Sequence, residues 1–271
     1  MKTRIIAAVA LLPLLLLVVL LAPKFCTAIL FGLMAGIGAW ELLKGTGLVN
    51  HIRLCVYSVV AAFWCCLWCG LHLGYGWLLL GILLFWTALF AEVMLSGMQL
   101  TFDKVAICLV GGVILPLLFG ALVRIHATEF GRHLIFIPFI LAFMSDTGAY
   151  FAGYFFGKHK LAPVISPKKT IEGVVGGVLG AMVGMVIYTF IMQVGFSFKV
   201  NYLFALIYGL VGSLAAVFGD LCFSVIKRQT GIKDYGNLIP GHGGILDRFD
   251  SMMVVGPLAE VLLLLIPVVV K

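Results

Sequence analysis

The residues able to do chemistry in this chain are few and gathered late. The end of one long apolar run reads Phe218-Gly219-Asp220-Leu221-Cys222-Phe223-Ser224-Val225-Ile226-Lys227-Arg228. On a continuing helix Asp220, Ser224, Lys227 and Arg228 fall at i, i+4, i+7 and i+8 and line one face. A carboxylate at membrane depth is costly, so it faces a polar cavity, a partner or an ion. A buried Asp220–Lys227 or Asp220–Arg228 pair holding helix ends together would meet that demand equally well. The stretch Lys233–Ser251, KDYGNLIPGHGGILDRFDS, adds more. Asp247, Asp250 and Ser251 are spaced i, i+3 and i+4 at the entrance of the last apolar run, which predicts two carboxylates on one helical face. The helix dipole favours Asp250 there in any case. Pro240-Gly241-His242-Gly243-Gly244 has little bulk, so its backbone N–H groups could approach an anion closely. Carboxylates beside a glycine loop and clustered Lys/Arg are what metal-assisted phosphoryl chemistry uses. Oxygen ligands hold Mg²⁺, the metal bridges phosphate oxygens, and cations meet the charge that develops.

A third group lies earlier. Met144-Ser145-Asp146-Thr147-Gly148-Ala149-Tyr150 puts another carboxylate inside an apolar run, and Ser166-Pro167-Lys168-Lys169-Thr170-Ile171-Glu172-Gly173 follows. Ser166 with Pro167 reads as an N-cap and first helical residue. Lys168, Lys169 and Thr170 would then sit at a helix N-terminus, a position suited to phosphate. Glu172 reads as a first-turn charge. Other signals carry less. Gly153–Lys158 is one residue short of a Walker A loop and lacks its Ser/Thr. His242 alone does not make a zinc site. Gly173, Gly177 and Gly176, Gly180, Gly184 give small-xxx-small spacings suited to close helix packing. Glu41 reads as a partner for Lys44, and the roles of Glu92 and Glu260 stay open.

These residues must be positioned by an oily scaffold. The 271 residues are 63% hydrophobic and 11% charged, with a mean hydropathy of +1.20, far beyond a soluble domain. Runs long enough to cross ~30 Å of hydrocarbon recur throughout. They predict spans at 5–22, 25–43, 55–72, 76–96, 105–124, 134–157, 172–196, 202–223 and 251–270, an all-α polytopic membrane protein of about nine helices. The first is too long for a signal-peptide core and lacks a clear small-x-small cleavage site, so it reads as a membrane helix; Pro13 within it is tolerable there. The seven Cys lie in or beside apolar runs without metal-site spacing and read as small buried hydrophobes. With nine spans, thirteen of the eighteen Lys and Arg fall on the N-terminal side, which predicts a cytoplasmic N-terminus. The net charge of +7 then marks a cytoplasmic surface suited to anionic lipid or nucleotide, and nothing points to nucleic acid.

Ser224-x-x-Lys227-Arg228, then Lys233-Asp234, then Pro240-Gly241-His242-Gly243-Gly244-x-x-Asp247-Arg248-x-Asp250, resembles the signature of the phosphatidate cytidylyltransferase family, also called CDP-diacylglycerol synthases. Ser145-Asp146-x-x-Ala149-Tyr150 and the Ser166–Gly173 segment are similar to that family in the expected order; Arg4 and Ala39-Trp40-Glu41 fit more loosely. The resemblance implies that 131–271 is the catalytic transmembrane region and 1–130 about five N-terminal helices. It implies transfer of the cytidylyl group of CTP to phosphatidic acid, with a divalent cation such as Mg²⁺; a second cation and a homodimer are compatible with it. Carried over residue by residue, Asp220 and Asp247 would hold metal with Asp250 close by. Lys227, Arg228, Lys233 and Arg248 would bind triphosphate or the phosphatidate head. Ser166, Lys168, Lys169, Thr170, Ser224, His242, Gly243 and Gly244 would complete the pocket, on the cytoplasmic face of the cell (inner) membrane. Phe223 departs from the pattern, since similar proteins often carry Glu there. A CTP-dependent enzyme acting on another lipid, isoprenoid or ether, would need similar polar parts. A transporter would instead predict inverted repeats or broken helices in both halves; the sequence shows none, and the charged motifs are concentrated in one half.

Overall fold

The computed structural model describes residues 17–71, 73–239, 241 and 243–270. Most of the first predicted span, Pro13 included, lies outside them. Seven described helices are long and apolar enough to cross a membrane: Lys24–Gly45, Ile52–Leu71, Tyr75–Leu95, Phe102–Ala127, Gly131–Phe156, Ile171–Phe196 and Tyr202–Gln229. Each occupies one of the predicted runs. The first combines α1 (Lys24–Trp40) with a π-helical turn, Glu41–Gly45. Next come α2 (Ile52–Leu71) and α3 (Tyr75–Leu95). The fourth is broken into α4 (Phe102–Leu109), a π-helical turn Val110–Ile114, α5 (Leu115–Phe119) and α6 (Ala121–Ala127), around Gly111, Gly112, Pro116 and Gly120. Glycine and proline are the usual sources of such irregularity. After α7 (Gly131–Leu134) come α8 (Phe136–Phe156), α9 (Ile171–Phe196), α10 (Tyr202–Gln229), α11 (Leu246–Phe249) and α12 (Met252–Leu265).

The last predicted span is shorter than expected. The helix α12 has 14 residues, about 21 Å at 1.5 Å each, against ~30 Å of hydrocarbon. It ends where Ile266 takes φ −139°, because Pro267 disfavours helical geometry in the residue before it. Val269–Val270 (β4) then pairs antiparallel with Lys199–Val200 (β3). A second small ladder joins Lys160–Ala162 (β1) to Ser166–Thr170 (β2).

That second ladder corrects the reading of Ser166 and Pro167 as a helix start, while the seventh span itself lies where predicted. Ser166 and Pro167 are strand residues, and the helix begins at Ile171. Thr170 is the N-cap, extended at φ −126° and ψ 155°, and its Oγ1 accepts the Gly173 N–H. Glu172 then reaches back to accept from the His159 backbone N–H at 3.2 Å and to meet His159 Nδ1 at 2.6 Å, which ties the hairpin to the first turn. The Asp247–Ser251 reading also changes. Asp247 belongs to the four-residue α11, while Asp250 and Ser251 form a turn before α12, so Asp247 and Asp250 do not share a continuous helix. The Asp250 carboxylate captures the Ser251 N–H at 2.8 Å, a local bond that competes with helix propagation.

The described residues form two compact units, one of residues up to Arg132 with Lys227–Phe249, the other of His133–Ile226 with Asp250 onward. In the first, α1 packs closely on α2: a Cβ on Gly70 would lie 2.2 Å from that of Ala28. Phe119 meets Phe31 and Phe249 edge-on, with centroids 5.2 and 5.3 Å apart. Five of the seven cysteines are buried. In the second unit, α8 and α9 meet along a glycine seam. A Cβ on Gly148 would lie 2.3 Å from the Gly176 carbonyl oxygen, and one on Gly180 would lie 2.6 Å from that of Met144. Among apolar helices such close approach replaces the missing hydrophobic driving force with van der Waals contact.

Candidate active site

Within the first unit the polar residues converge on Asp247, whose side chain is 2% exposed. Its Oδ1 accepts from Lys227 Nζ at 2.9 Å. Its Oδ2 accepts the backbone N–H groups of Tyr235 at 2.7 Å and Gly244 at 3.0 Å. A carboxylate this enclosed stays charged only when it is paired and hydrogen-bonded, and here it is both. The Lys227 ammonium also lies 5.4 Å from the centre of the buried Tyr235 ring. Gly243 sits at φ +85° and would place a Cβ 2.7 Å from Asp247 Oδ2, so both its backbone conformation and its lack of bulk are used. The Ile239 N–H donates to the Gly243 carbonyl at 2.9 Å and closes this loop. Pro240 and His242 lie outside the described residues. Arg228, Lys233 and Arg248 are exposed.

The sequence pairing of Glu41 with Lys44 is not what forms. Lys44 Nζ donates instead to the Asn50 carbonyl at 3.4 Å. Glu41, 5% exposed, accepts the Ile245 N–H on Oε1 and the Leu246 N–H on Oε2, both at 2.9 Å. Three successive amides, those of residues 244, 245 and 246, are therefore held by two buried carboxylates. Glu92 is also buried and pairs with Arg53 at 3.2 Å and His51 at 3.5 Å.

Within the second unit the polar residues gather on Asp220. Lys169 Nζ lies 2.5 Å from Oδ2, and Ser224 donates to Oδ1 at 3.2 Å. This pair is more open, with the Lys169 and Asp220 side chains 23% and 30% exposed. A Cβ on Gly219 would lie 3.0 Å from the Asp250 carbonyl oxygen and from Ser251 Cα, so the turn bearing Asp220 packs directly on that of Asp250. Ser166 is half-buried and Lys168 exposed. The Thr170 hydroxyl is engaged as the α9 cap. Ser145 and Ser213 share a buried hydrogen bond at 2.8 Å. Phe223, where the resemblance leads one to expect Glu, is 5% exposed, packed as an apolar residue. The α10 helix runs unbroken to Gln229, so Asp220, Ser224 and Lys227 keep the i, i+4, i+7 spacing read from the sequence.

The donor chemistry of both carboxylates suits a hard divalent cation. Asp247 Oδ1 and each Asp220 oxygen take one described donor apiece, while a carboxylate oxygen has two acceptor positions. Both sites already hold a cation, the lysine ammonium. Among the described residues no three His, Cys, Asp or Glu gather into a ready-made cage. Mg²⁺ commonly needs only one or two carboxylates, with substrate phosphates and water supplying the rest.

Comparison with known proteins bears on these clusters. Over 176 residues the chain is 39% identical to a phosphatidate cytidylyltransferase of Staphylococcus saprophyticus, covering 65% of each protein. Over 134 residues it is 45% identical to that of Staphylococcus haemolyticus, covering 49% of this chain and 50% of the relative. The Staphylococcus aureus protein of the same name is 40% identical over 170 residues, 63% of each. The matched part is thus less than two thirds of each relative. The model of the cytidylyltransferase family matches residues 2–266. On that match, which takes in both carboxylate clusters and every membrane-spanning helix described above, this multi-pass membrane chain belongs to the cytidylyltransferase family.

Proposed function

We propose that the chain transfers the cytidylyl group of CTP to phosphatidic acid, giving CDP-diacylglycerol and pyrophosphate. The observation that carries this reading is the enclosed Lys227–Asp247 pair in its glycine loop, on a chain of the cytidylyltransferase family. The names of the Staphylococcus relatives support the choice of acceptor.

The chemistry asks little of a general base. An ionised oxygen of phosphatidate attacks the α-phosphorus of CTP, the new P–O bond forms, and the bond to the β-phosphate bridging oxygen breaks. Pyrophosphate leaves with that electron pair. The burden is to bring two polyanions together in line and to neutralise the leaving group. Lys227, Arg228, Lys233 and Arg248 supply positive charge for the triphosphate or the phosphatidate head. Gly243 and Gly244 shape the loop around Asp247, and the resemblance assigns them to substrate binding. By the resemblance to the family, Ser166, Lys168, Lys169, Thr170, Ser224 and His242 would bind substrate. Asp247 in the first unit and Asp220 in the second are each proposed as Mg²⁺ ligands, with Asp250 nearby in sequence; a bound ion would supply Lewis-acid neutralisation of phosphate oxygens. The lipid acceptor is already in the bilayer that the helices span. The charge bias of the loops supports a site on the cytoplasmic face of the cell (inner) membrane.

The test uses purified protein in detergent with labelled CTP, phosphatidic acid and Mg²⁺. The expected products are pyrophosphate and a CDP-lipid, and Asp247→Asn should abolish turnover in a protein that still folds. Release of CDP with a newly phosphorylated lipid would make the protein a kinase. No product with any lipid acceptor would sink the enzyme reading.

A further inference from the structure

We infer that Glu41 is a positioning residue for the Asp247 loop, setting that carboxylate's orientation through the backbone. This rests on the cytidylyl-transfer reading above for what the loop does, but its geometry stands apart from it. Glu41 begins the π-helical turn Glu41–Gly45 at the end of α1, and such turns are frequent at functional sites. Its two oxygens divide two adjacent N–H groups, those of Ile245 and Leu246, at 2.9 Å each. The next N–H upstream, that of Gly244, goes to Asp247 itself. The backbone that carries Asp247 is therefore pinned on one side by Glu41 and folded onto Asp247 on the other.

The packing admits no slack. A Cβ on Gly244 would lie 2.3 Å from Glu41 Oε1, and one on Gly236 would lie 2.8 Å from the same oxygen. A Cβ on Gly45 would lie 2.3 Å from the Tyr235 carbonyl oxygen, and the Tyr235 N–H is itself a donor to Asp247. Gly236 and Gly244 thus make room for one buried carboxylate, and Gly45 lets the Tyr235 carbonyl approach the same helix end. A charge so enclosed would be expensive if it served only to fill space. Its bonds are instead spent on the amides that decide where Asp247 points. Partners of a ligating carboxylate typically tune affinity and rate rather than touch the substrate.

Glu41→Gln keeps the shape and one acceptor oxygen but turns an NH₂ toward the second amide. If Glu41 positions Asp247, turnover should fall about 10- to 100-fold, and the Mg²⁺ concentration for half-activation should rise by a similar factor. The KM for CTP at saturating Mg²⁺ should stay within roughly threefold, because Glu41 is not expected to touch the nucleotide. Hydrogen exchange at the Ile245 and Leu246 amides should accelerate. A purely structural role would lower the melting temperature and the active fraction while leaving the Mg²⁺ midpoint in place, and that result overturns the inference. Should Glu41→Gln fail to fold, Gly236→Ala, which pushes on the same oxygen, should show the same raised midpoint; a wild-type midpoint there overturns it too. If the wild-type protein makes no CDP-lipid, the reaction reading fails separately. Mn²⁺ binding followed by electron paramagnetic resonance then decides: weaker binding in Glu41→Gln supports the positioning role, and equal binding removes it.

Discussion

Lys227–Asp247 and Lys169–Asp220 look alike as lysine–aspartate pairs, yet burial separates their energetics. The first is 11% and 2% exposed at its two side chains, the second 23% and 30%. Removing one member of a buried pair strands a charge, at about 3–5 kcal/mol, and the cost falls as exposure rises, to about 0–1 kcal/mol for fully exposed pairs. Lys227→Met should therefore lower the thermal midpoint in detergent more than Lys169→Met does. Both should lose turnover by roughly 100-fold or more if each carboxylate serves the phosphoryl chemistry. Equal losses of stability in the two variants would contradict this reading of their environments. The spacing of Asp220, Ser224 and Lys227 was legible because a helix turns sequence distance into direction. Glu41 was not, because its partners are backbone amides 204 and 205 residues away, and an amide carries no residue identity. Its traces in the sequence are the loose family match of Ala39-Trp40-Glu41 and an acid in an apolar run with no counter-ion at helical spacing that the fold uses.

Among the elements, the start of α9 shows how a local signal can be present and still be misassigned. Ser166-Pro167 has the composition of a helix start, but Thr170 is the residue followed by an N–H that its hydroxyl can cap, that of Gly173 at 3.1 Å. The strand pairing of Lys160 with Thr170 keeps 166–170 extended, and strand pairing across a loop cannot be read from the helix-forming tendencies of either side. Thr170→Val, which removes the acceptor at nearly constant shape, should cost about 1 kcal/mol of stability. The glycine spacings of α9 were legible as a packing seam, and their individual importance follows from what each one meets. Gly148→Ala would drive a methyl into the Gly176 backbone and should cost about 1–3 kcal/mol. Gly195, with nothing within 4 Å of its Cβ direction, should accept Ala with no loss. Thermal unfolding of the three variants checks the order, and a Gly195→Ala protein as damaged as Gly148→Ala would refute the seam.

Over the whole molecule, the apolar runs revealed the spanning helices because crossing hydrocarbon demands about 20 helical residues at a stretch. The same rule overestimated the last run, where Pro267 stops the helix and a short strand takes over. Orientation is a separate matter, set by charge. The hairpin between α8 and α9 carries Lys158, Lys160, Lys168 and Lys169, whereas the turn after α9 carries Lys199 alone. Positive residues are retained on the cytoplasmic side, so the hairpin should face the cytoplasm. The end of α8 that leads into it is ringed by exposed aromatics, Tyr150, Tyr154, Phe155 and Phe156 at 67–73% exposure, as a membrane–water boundary favours. The helix between the two turns, α9, has 26 residues, about 39 Å at 1.5 Å per residue, enough to cross. Lys160 and Lys199 should therefore lie on opposite sides, and both are exposed. With the partly exposed Cys26 and Cys222 replaced by Ala, a membrane-impermeant maleimide applied to intact bacterial cells should label Lys199→Cys. It should reach Lys160→Cys only after permeabilisation. The opposite pattern would turn the hairpin outward, away from cytoplasmic CTP, and would count against the proposed reaction. Labelling of both from outside would mean that α9 does not cross at all, despite its length and its glycine-packed partner.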